Sequence, residues 1–221
     1  MPAVRTRSRR SAPALLLATG LLLAGCGNSA DPGTEEHDHT GGAPAAVEGP
    51  EDVYAGTDLP EPYRKPSFTL TDTSGAPYDL AAETAGRPTL LFFGYTDCPD
   101  VCPTTMANVA VALREVGPDL AEQVQVVFVT TDPATDTPEV LGEYLAGFDT
   151  DLPTPFVGLT GDQPAIEQAQ LSAGVPQAED NGRLHSTQLL LYGSDGEADV
   201  AFLAGTPWED IAADLELVAG A

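Results

Sequence analysis

Basic side chains are scarce in this chain: nine Lys and Arg stand against 34 Asp and Glu over 221 residues. Four of the nine, Arg5, Arg7, Arg9 and Arg10, lie at the extreme N-terminus, which leaves five basic residues facing 34 acidic ones, a formal difference of −29. Such a surface repels phosphate backbones, excluding nucleic acid as a partner, and favours cations and basic protein surfaces. Soft ligands are few as well, with three cysteines and three histidines. Long hydrophobic runs are missing too. The N-terminal "APALLLATGLLLAG", Ala12 to Gly25, is too short to span the ~30 Å of bilayer hydrocarbon as an anchor helix.

That run, behind its basic start, reads as the core of an export signal covering residues 1–25, which is set aside from the fold. Its end, "LAGC", resembles the lipobox of bacterial lipoproteins. The resemblance implies that Cys26 is lipidated on sulfur, becomes the first mature residue and holds the protein at the extracytoplasmic face of the cell membrane. Arg9-Arg10 is a twin-arginine pair followed by Ser11, Ala12 and Pro13, where that export signal prefers bulky apolar residues. Residues 26–60 are rich in Gly, Pro and acids without apolar periodicity, the composition of a flexible tether with a reach of roughly 30 to 35 Å. Within it His37 and His39 flank Asp38, a weak set of candidate metal ligands.

Residues 61–221 alternate strand and helix signals, the pattern of an α/β layered domain, and contain no internal repeat. "SFTLTDTSGAPYDL" predicts a hairpin about Ser74-Gly75. "TLLFFGY", Thr89 to Tyr95, and "VQVVFVTTD" are continuous apolar runs suited to strands buried on both faces. Met106, Val109, Ala110 and Leu113 recur at helical spacing up to Gly117-Pro118. Thr137-Pro138 predicts the cap and first residue of a second helix, and Gly174 the end of a third. Two β runs around a Ser-Asp-Gly turn and a Pro-initiated helix close the chain.

With Cys26 consumed by lipid, the domain keeps only Cys98 and Cys102, in "GYTDCPDVCPTT", between a buried strand and the start of the helix it feeds. Open α/β sheets place their ligands there. The pair is a structural staple, a redox couple or two arms of a metal site, and a staple closing so short a loop constrains the unfolded chain little. The positive end of the helix favours a thiolate, with Cys102 expected to benefit most. Asp97 and Asp100 are expected to raise the thiol pKa and to welcome a cation. The one histidine outside the tether is His185, at the start of a later β run. Two thiolates and an imidazole form a soft three-ligand set suited to copper, whereas structural zinc asks for a fourth ligand.

"GYTDCPDVCPTT", "TTDPATDTPEVLGEYL" and "LHSTQLLLYGSDG", in this order, resemble the Sco/SenC family of thioredoxin-like copper chaperones for cytochrome c oxidase assembly, over Pro60 to Ala221. The resemblance implies a three-layer thioredoxin-like α/β fold with an N-terminal β-hairpin extension. It implies copper held by Cys98, Cys102 and His185, with Asp132 supporting the site from behind. It implies delivery to the dinuclear copper (CuA) site of the copper-containing oxidase subunit, with an upstream copper chaperone or thiol reductant as further partner. Such delivery is not enzyme turnover. The alternatives are a thiol-disulfide reductase that keeps the oxidase copper-site cysteines reduced through a redox-active Cys98–Cys102 disulfide, a copper or redox sensor, and a thiol peroxidase. The last is disfavoured because no Arg lies near the cysteines in the sequence. The chain departs from the family in placing Asp97 where His is common and in reading "DPATDT" for "DPERDT". Thioredoxin-type oxidoreductases carry Cys-x-x-Cys and a cis-proline, whereas this chain has one more residue between its cysteines and "LHST" at the corresponding strand start.

Overall fold

Apolar runs and helical repeats alternate to build one mixed sheet covered on both faces. The computed structural model describes residues 53–180 and 182–220. The signal segment, Cys26 and the His37–His39 stretch lie outside the described residues. The elements are β1 (Thr57–Arg64), β2 (Thr69–Asp72), β3 (Pro77–Asp79), α1 (Leu80–Glu83), β4 (Thr89–Gly94), α2 (Val101–Glu115), α3 (Pro118–Ala121), β5 (Gln125–Thr130), α4 (Pro138–Asp149), β6 (Val157–Thr160), α5 (Gln163–Ser172), β7 (Leu189–Tyr192), β8 (Glu197–Phe202) and α6 (Trp208–Ala219). The strands lie in the order β1-β8-β7-β4-β5-β6-β2-β3. The β4, β5 and β6 strands are parallel, and every other neighbouring pair is antiparallel.

Every residue of β4 and β5 is buried, as their unbroken apolar runs require. On one face Leu90, Phe92, Phe128 and Leu191 pack against Met106 of α2, Leu141 of α4 and Leu215 of α6. On the other Leu91, Phe93, Val127 and Leu190 pack against Ile166 and Ala169 of α5 and Leu80 of α1. The result is three layers, helix on sheet on helix. Thr137 caps α4 by accepting the amide of Val140, with Pro138 at the first helical position, and Gly174 ends α5 with φ of 70°. Among the described residues no helix is long and apolar enough to cross a membrane.

The β2–β3 hairpin extends the sheet beyond β6, at the edge far from β1. The β1 strand itself is a finding, since it begins at Thr57, inside the segment expected to be tether. "TDLPEPYR" has no alternating apolar pattern, and its prolines are tolerated because it is an edge strand whose register with β8 shifts between Asp58 and Tyr63. Its start is held by the buried Asp214 of α6, whose carboxylate accepts the amides of Ala55 and Gly56, both at 2.8 Å. The short α1 and α3 helices were not expected either, each being only one turn long.

Candidate metal centre

The carboxyl ends of β4 and β5 and the start of β7 meet at one end of the sheet, because Phe92 pairs with both Phe128 and Leu189. The segments 95–100, 131–137 and 182–188 therefore converge there. Gly94 ends β4 where a Cβ would stand 2.7 Å from the Phe92 ring and 2.9 Å from Cys102 Sγ, so glycine admits the close approach of the second cysteine. The next turn is anchored by Asp136, which is fully buried. Its carboxylate accepts the Thr96 amide at 3.0 Å, the Thr96 hydroxyl at 2.6 Å and the Thr130 hydroxyl at 2.6 Å.

The two cysteines are free thiols in different surroundings. The α2 helix begins at Val101, which puts Cys102 on the inward stripe with Met106, Val109 and Leu113, and it is wholly buried. Burial pushes its thiol well above the ordinary cysteine range, and the neighbouring Cys98 sulfur and the Asp136 carboxylate add to the rise against an opposing bond from the Tyr95 amide. Cys98 is half-buried. Burial opposes its ionisation, but the Cys102 amide that bonds its sulfur, with the Asp100 amide, the Cys102 thiol and Tyr95 beside it, favours the thiolate and holds its pKa below the ordinary value. The Cys102 amide, one of the free donors of the helix start, meets Cys98 Sγ at 3.4 Å. The expectation that Cys102 gains most from the helix is thus reversed: its side chain turns into the core, and the helix amide serves Cys98. Asp97 and Asp100 do not act on the thiols as expected either, since the carboxylate that raises Cys102 is Asp136.

His185 reaches the same point from the other side. Its Nδ1 bonds the carbonyl of Ser186 at 2.7 Å, which assigns the proton to Nδ1 and leaves the Nε2 lone pair directed at Cys102 Sγ, 3.9 Å away. Burial lowers its pKa, partly offset by the Ser186 carbonyl, and keeps the imidazole neutral. Tyr95 and Phe92 hold the ring edge-on, with centroids at 5.6 and 6.3 Å. The separation of 3.9 Å is close to that of two ligands on one ion with metal–sulfur and metal–nitrogen bonds of about 2.3 and 2.0 Å. Among the described residues no three His, Cys, Asp or Glu side chains already form a metal cage. Cys102 and His185 face one another, while the Cys98 sulfur is turned toward the Cys102 amide.

Asp132 stands at the end of β5, nearly buried, with its carboxylate 3.7 Å from the guanidinium of Arg183. The same guanidinium lies 3.9 Å from Asp97 and 5.4 Å from the centre of the Tyr95 ring. Arg183 therefore lies against the turn that leads to Cys98, a placement that sequence spacing does not reveal. Its partners are two carboxylates and an aromatic ring. Arg183 and Asp136 are the residues of this site that sequence reasoning missed. Asp136 was visible only as the second Asp of "TTDPATDT", and Arg183 carried no signal.

The SCO1/SenC family model matches residues 57–220. The chain belongs to the SCO1/SenC family. A curated protein of Stutzerimonas stutzeri is 37% identical over 145 residues, covering 62% of this chain and 68% of that protein. The chain spans only 32% of the mitochondrial protein SCO2 of Saccharomyces cerevisiae, to which it is 36% identical over 100 residues. Among solved structures it is similar to ScoI of Bradyrhizobium japonicum with copper bound, with 34% identity and a TM-score of 0.58, covering 71% of this chain and 99% of the other. It is also similar to BsSco, a Sco-family cytochrome c oxidase assembly protein with a disulfide switch, with 25% identity and a TM-score of 0.58, covering 73% of this chain and 96% of the other. The three-layer sheet described above is accordingly the thioredoxin-like α/β fold of Sco proteins.

Proposed function

We propose that this SCO1/SenC protein is a copper chaperone: Cys98 and Cys102 thiolates and Nε2 of His185 hold copper, which is handed to the CuA site of the copper-containing cytochrome c oxidase subunit. The observation that carries the reading is the imidazole. Its Nδ1 is engaged by Ser186, so Nε2 can act only as an acceptor or ligand, and it points at a thiol. Copper is cargo here. The chain's part is to present two sulfurs and one nitrogen, to keep the imidazole neutral and to release two thiol protons as the ion enters. Only the reduced pair serves, since a disulfide offers no thiolate. Low coordination leaves room for a partner's ligand to take the ion by exchange. Lipidation of Cys26 would hold the domain at the extracytoplasmic face on its tether, within reach of a membrane-bound oxidase and of an upstream copper donor or thiol reductant.

Titration of the reduced chain with each copper oxidation state, repeated on His185→Ala, tests the assignment. Wild type is expected to bind both tightly and the variant to lose most of its Cu(II) affinity. Equal binding by the variant sinks the role of His185.

A second reading, thiol-disulfide reduction of the oxidase copper-site cysteines, is favoured by the division of labour between the thiols. The lowered pKa and partial exposure of Cys98 suit it to attack a partner disulfide. The mixed disulfide then forms as one partner thiolate leaves. Cys102, losing its proton to Nε2 of His185 at 3.9 Å, displaces the second partner thiolate and closes a Cys98–Cys102 disulfide. Two electrons and two protons pass to the partner cysteines. The likeness to BsSco, with its disulfide switch, supports this second role.

A further inference from the structure

The segment that carries His185 is tied down at its start, where Val175 is buried in the core and the buried Gln170 bonds the Pro176 carbonyl and the Ala178 amide. Among the described residues between Ala173 and the start of β7 it forms no helix or strand, and its one β-bridge pairs Glu179 with Leu184. A cavity of about 560 Å³, lined in part by Thr135, Gln163, Glu167 and Ala178, opens against Gly182 and Arg183. Beyond Ala178 the His185 ring, edge-on to Phe92 and Tyr95, and two further fastenings hold the segment against the cysteine turn.

The first fastening is at Gly182, whose carbonyl accepts the Thr131 hydroxyl at 2.7 Å and whose φ of +84° brings the backbone against the Thr131 carbonyl. The second is Arg183. One guanidinium faces Asp132 at the end of β5, Asp97 on the turn that leads to Cys98, and the ring of Tyr95, which itself stacks edge-on against His185. Of the five basic residues outside the N-terminal segment, Arg64 pairs with Glu197, Lys65 bonds the Thr84 and Arg87 carbonyls, Arg87 bonds those of Glu122 and Gln123, and Arg114 pairs with Asp151. Of these five, Arg183 is the one that meets the turn leading to Cys98.

We propose that Arg183 is a positioning residue: by bridging Asp97, Asp132 and Tyr95 it clasps the His185 segment onto the cysteine turn, and so sets whether copper is held by three ligands or by the two sulfurs alone. The inference rests on the copper reading above. Its chemical consequence is selective. Cu(I) accepts two thiolates, whereas Cu(II) depends on the imidazole, so loosening the clasp weakens the oxidised ion more than the reduced one. A partner that displaced Arg183 from its carboxylates would release the imidazole and leave a two-coordinate ion ready for exchange.

The test uses the full chain as wild type, Arg183→Ala and Arg183→Lys, with Arg114→Ala as a surface ion-pair control. In the reduced, metal-free protein, hydrogen exchange of the 178–180 and 182–186 amides is expected to speed up about tenfold in Arg183→Ala, the loss expected for two long, partly exposed ion pairs and one cation–π contact, while β4 and β5 stay protected. Cu(II) affinity is expected to fall by a similar factor, with loss of nitrogen hyperfine coupling from His185, and Cu(I) affinity to change less than about threefold. Arg183→Lys, which keeps the charge and loses the planar fork, is expected to fall between. Unchanged exchange and unchanged Cu(II) affinity in Arg183→Ala overturn the proposal, as does an equal loss of both oxidation states with β4 and β5 still protected. If wild type takes up no copper, the chaperone reading fails on its own, and the exchange data still decide whether Arg183 clasps the segment.

Discussion

Replacing Asp136 by Asn removes one negative charge from the centre of the site without changing its volume. The carboxylate is fully buried and accepts three hydrogen bonds, two from Thr96 and one from Thr130. The Thr130 hydroxyl in turn accepts the Asp132 amide at 3.0 Å, so its proton is committed to Asp136. Asparagine keeps one acceptor oxygen and puts an NH2 donor where the other stood, facing either the Thr96 hydroxyl or both the Thr96 amide and the Thr130 hydroxyl. A hydrogen bond to a charged acceptor is worth about 1.5–3 kcal/mol and an orphaned buried donor costs about 1–3, while relief of a buried charge offsets part of the sum. The expected net loss is about 2–4 kcal/mol. Because the Asp136 charge helps raise the Cys102 pKa, the variant should also ionise Cys102 at lower pH. Urea unfolding of the reduced chain measures the first effect and thiolate absorbance against pH the second. A stability change under about 0.5 kcal/mol together with an unmoved Cys102 titration would refute the claim that Asp136 anchors the cysteine turn.

At neutral pH a limiting alkylating reagent should label Cys98 well ahead of Cys102, because Cys98 is the more exposed thiol with the lowered pKa; peptide mapping by mass spectrometry reads the order, and preferential labelling of Cys102 contradicts it. The His185 imidazole takes a proton less readily in the folded chain than at its ordinary 6.5 in the unfolded one. Its contribution to stability is therefore complete above that value and is lost as pH falls through the lower folded value. The urea midpoint of the metal-free chain should drop over that window, and His185→Asn should flatten the drop. Tyr192 buries a hydroxyl with no hydrogen-bond partner among the described residues, so Tyr192→Phe should leave stability unchanged or raise it by up to about 1 kcal/mol in the same unfolding assay, and a clear loss would reveal a partner.

Much of the scaffold was legible because its signals are local. The unbroken apolar runs of β4 and β5, the Thr137-Pro138 start of α4 and the Gly174 stop of α5 each fix an element within a few residues. The β1 strand escaped because an edge strand with two prolines buries too little to show a period of two. The order of the thiol pKa values escaped for a different reason. It depends on the helix beginning at Val101 rather than after the second cysteine, which turns Cys102 inward at four residues' spacing from Met106. The meeting of His185 with Cys102 is a tertiary fact. It depends on a Gly182–Thr131 fastening between segments far apart in sequence, and only the family resemblance pointed to it. Arg183 was equally invisible, since both of its carboxylate partners lie at least 50 residues away, Asp132 the nearer.

X-ray absorption at the copper edge of the reduced chain loaded with one equivalent of Cu(I) bears most directly on the central claim, with the oxidised chain treated in parallel. The account predicts a shell of two sulfurs and one nitrogen in the reduced protein and no tight uptake by the disulfide form. A shell of nitrogen and oxygen alone, or equal uptake by both forms, would contradict it.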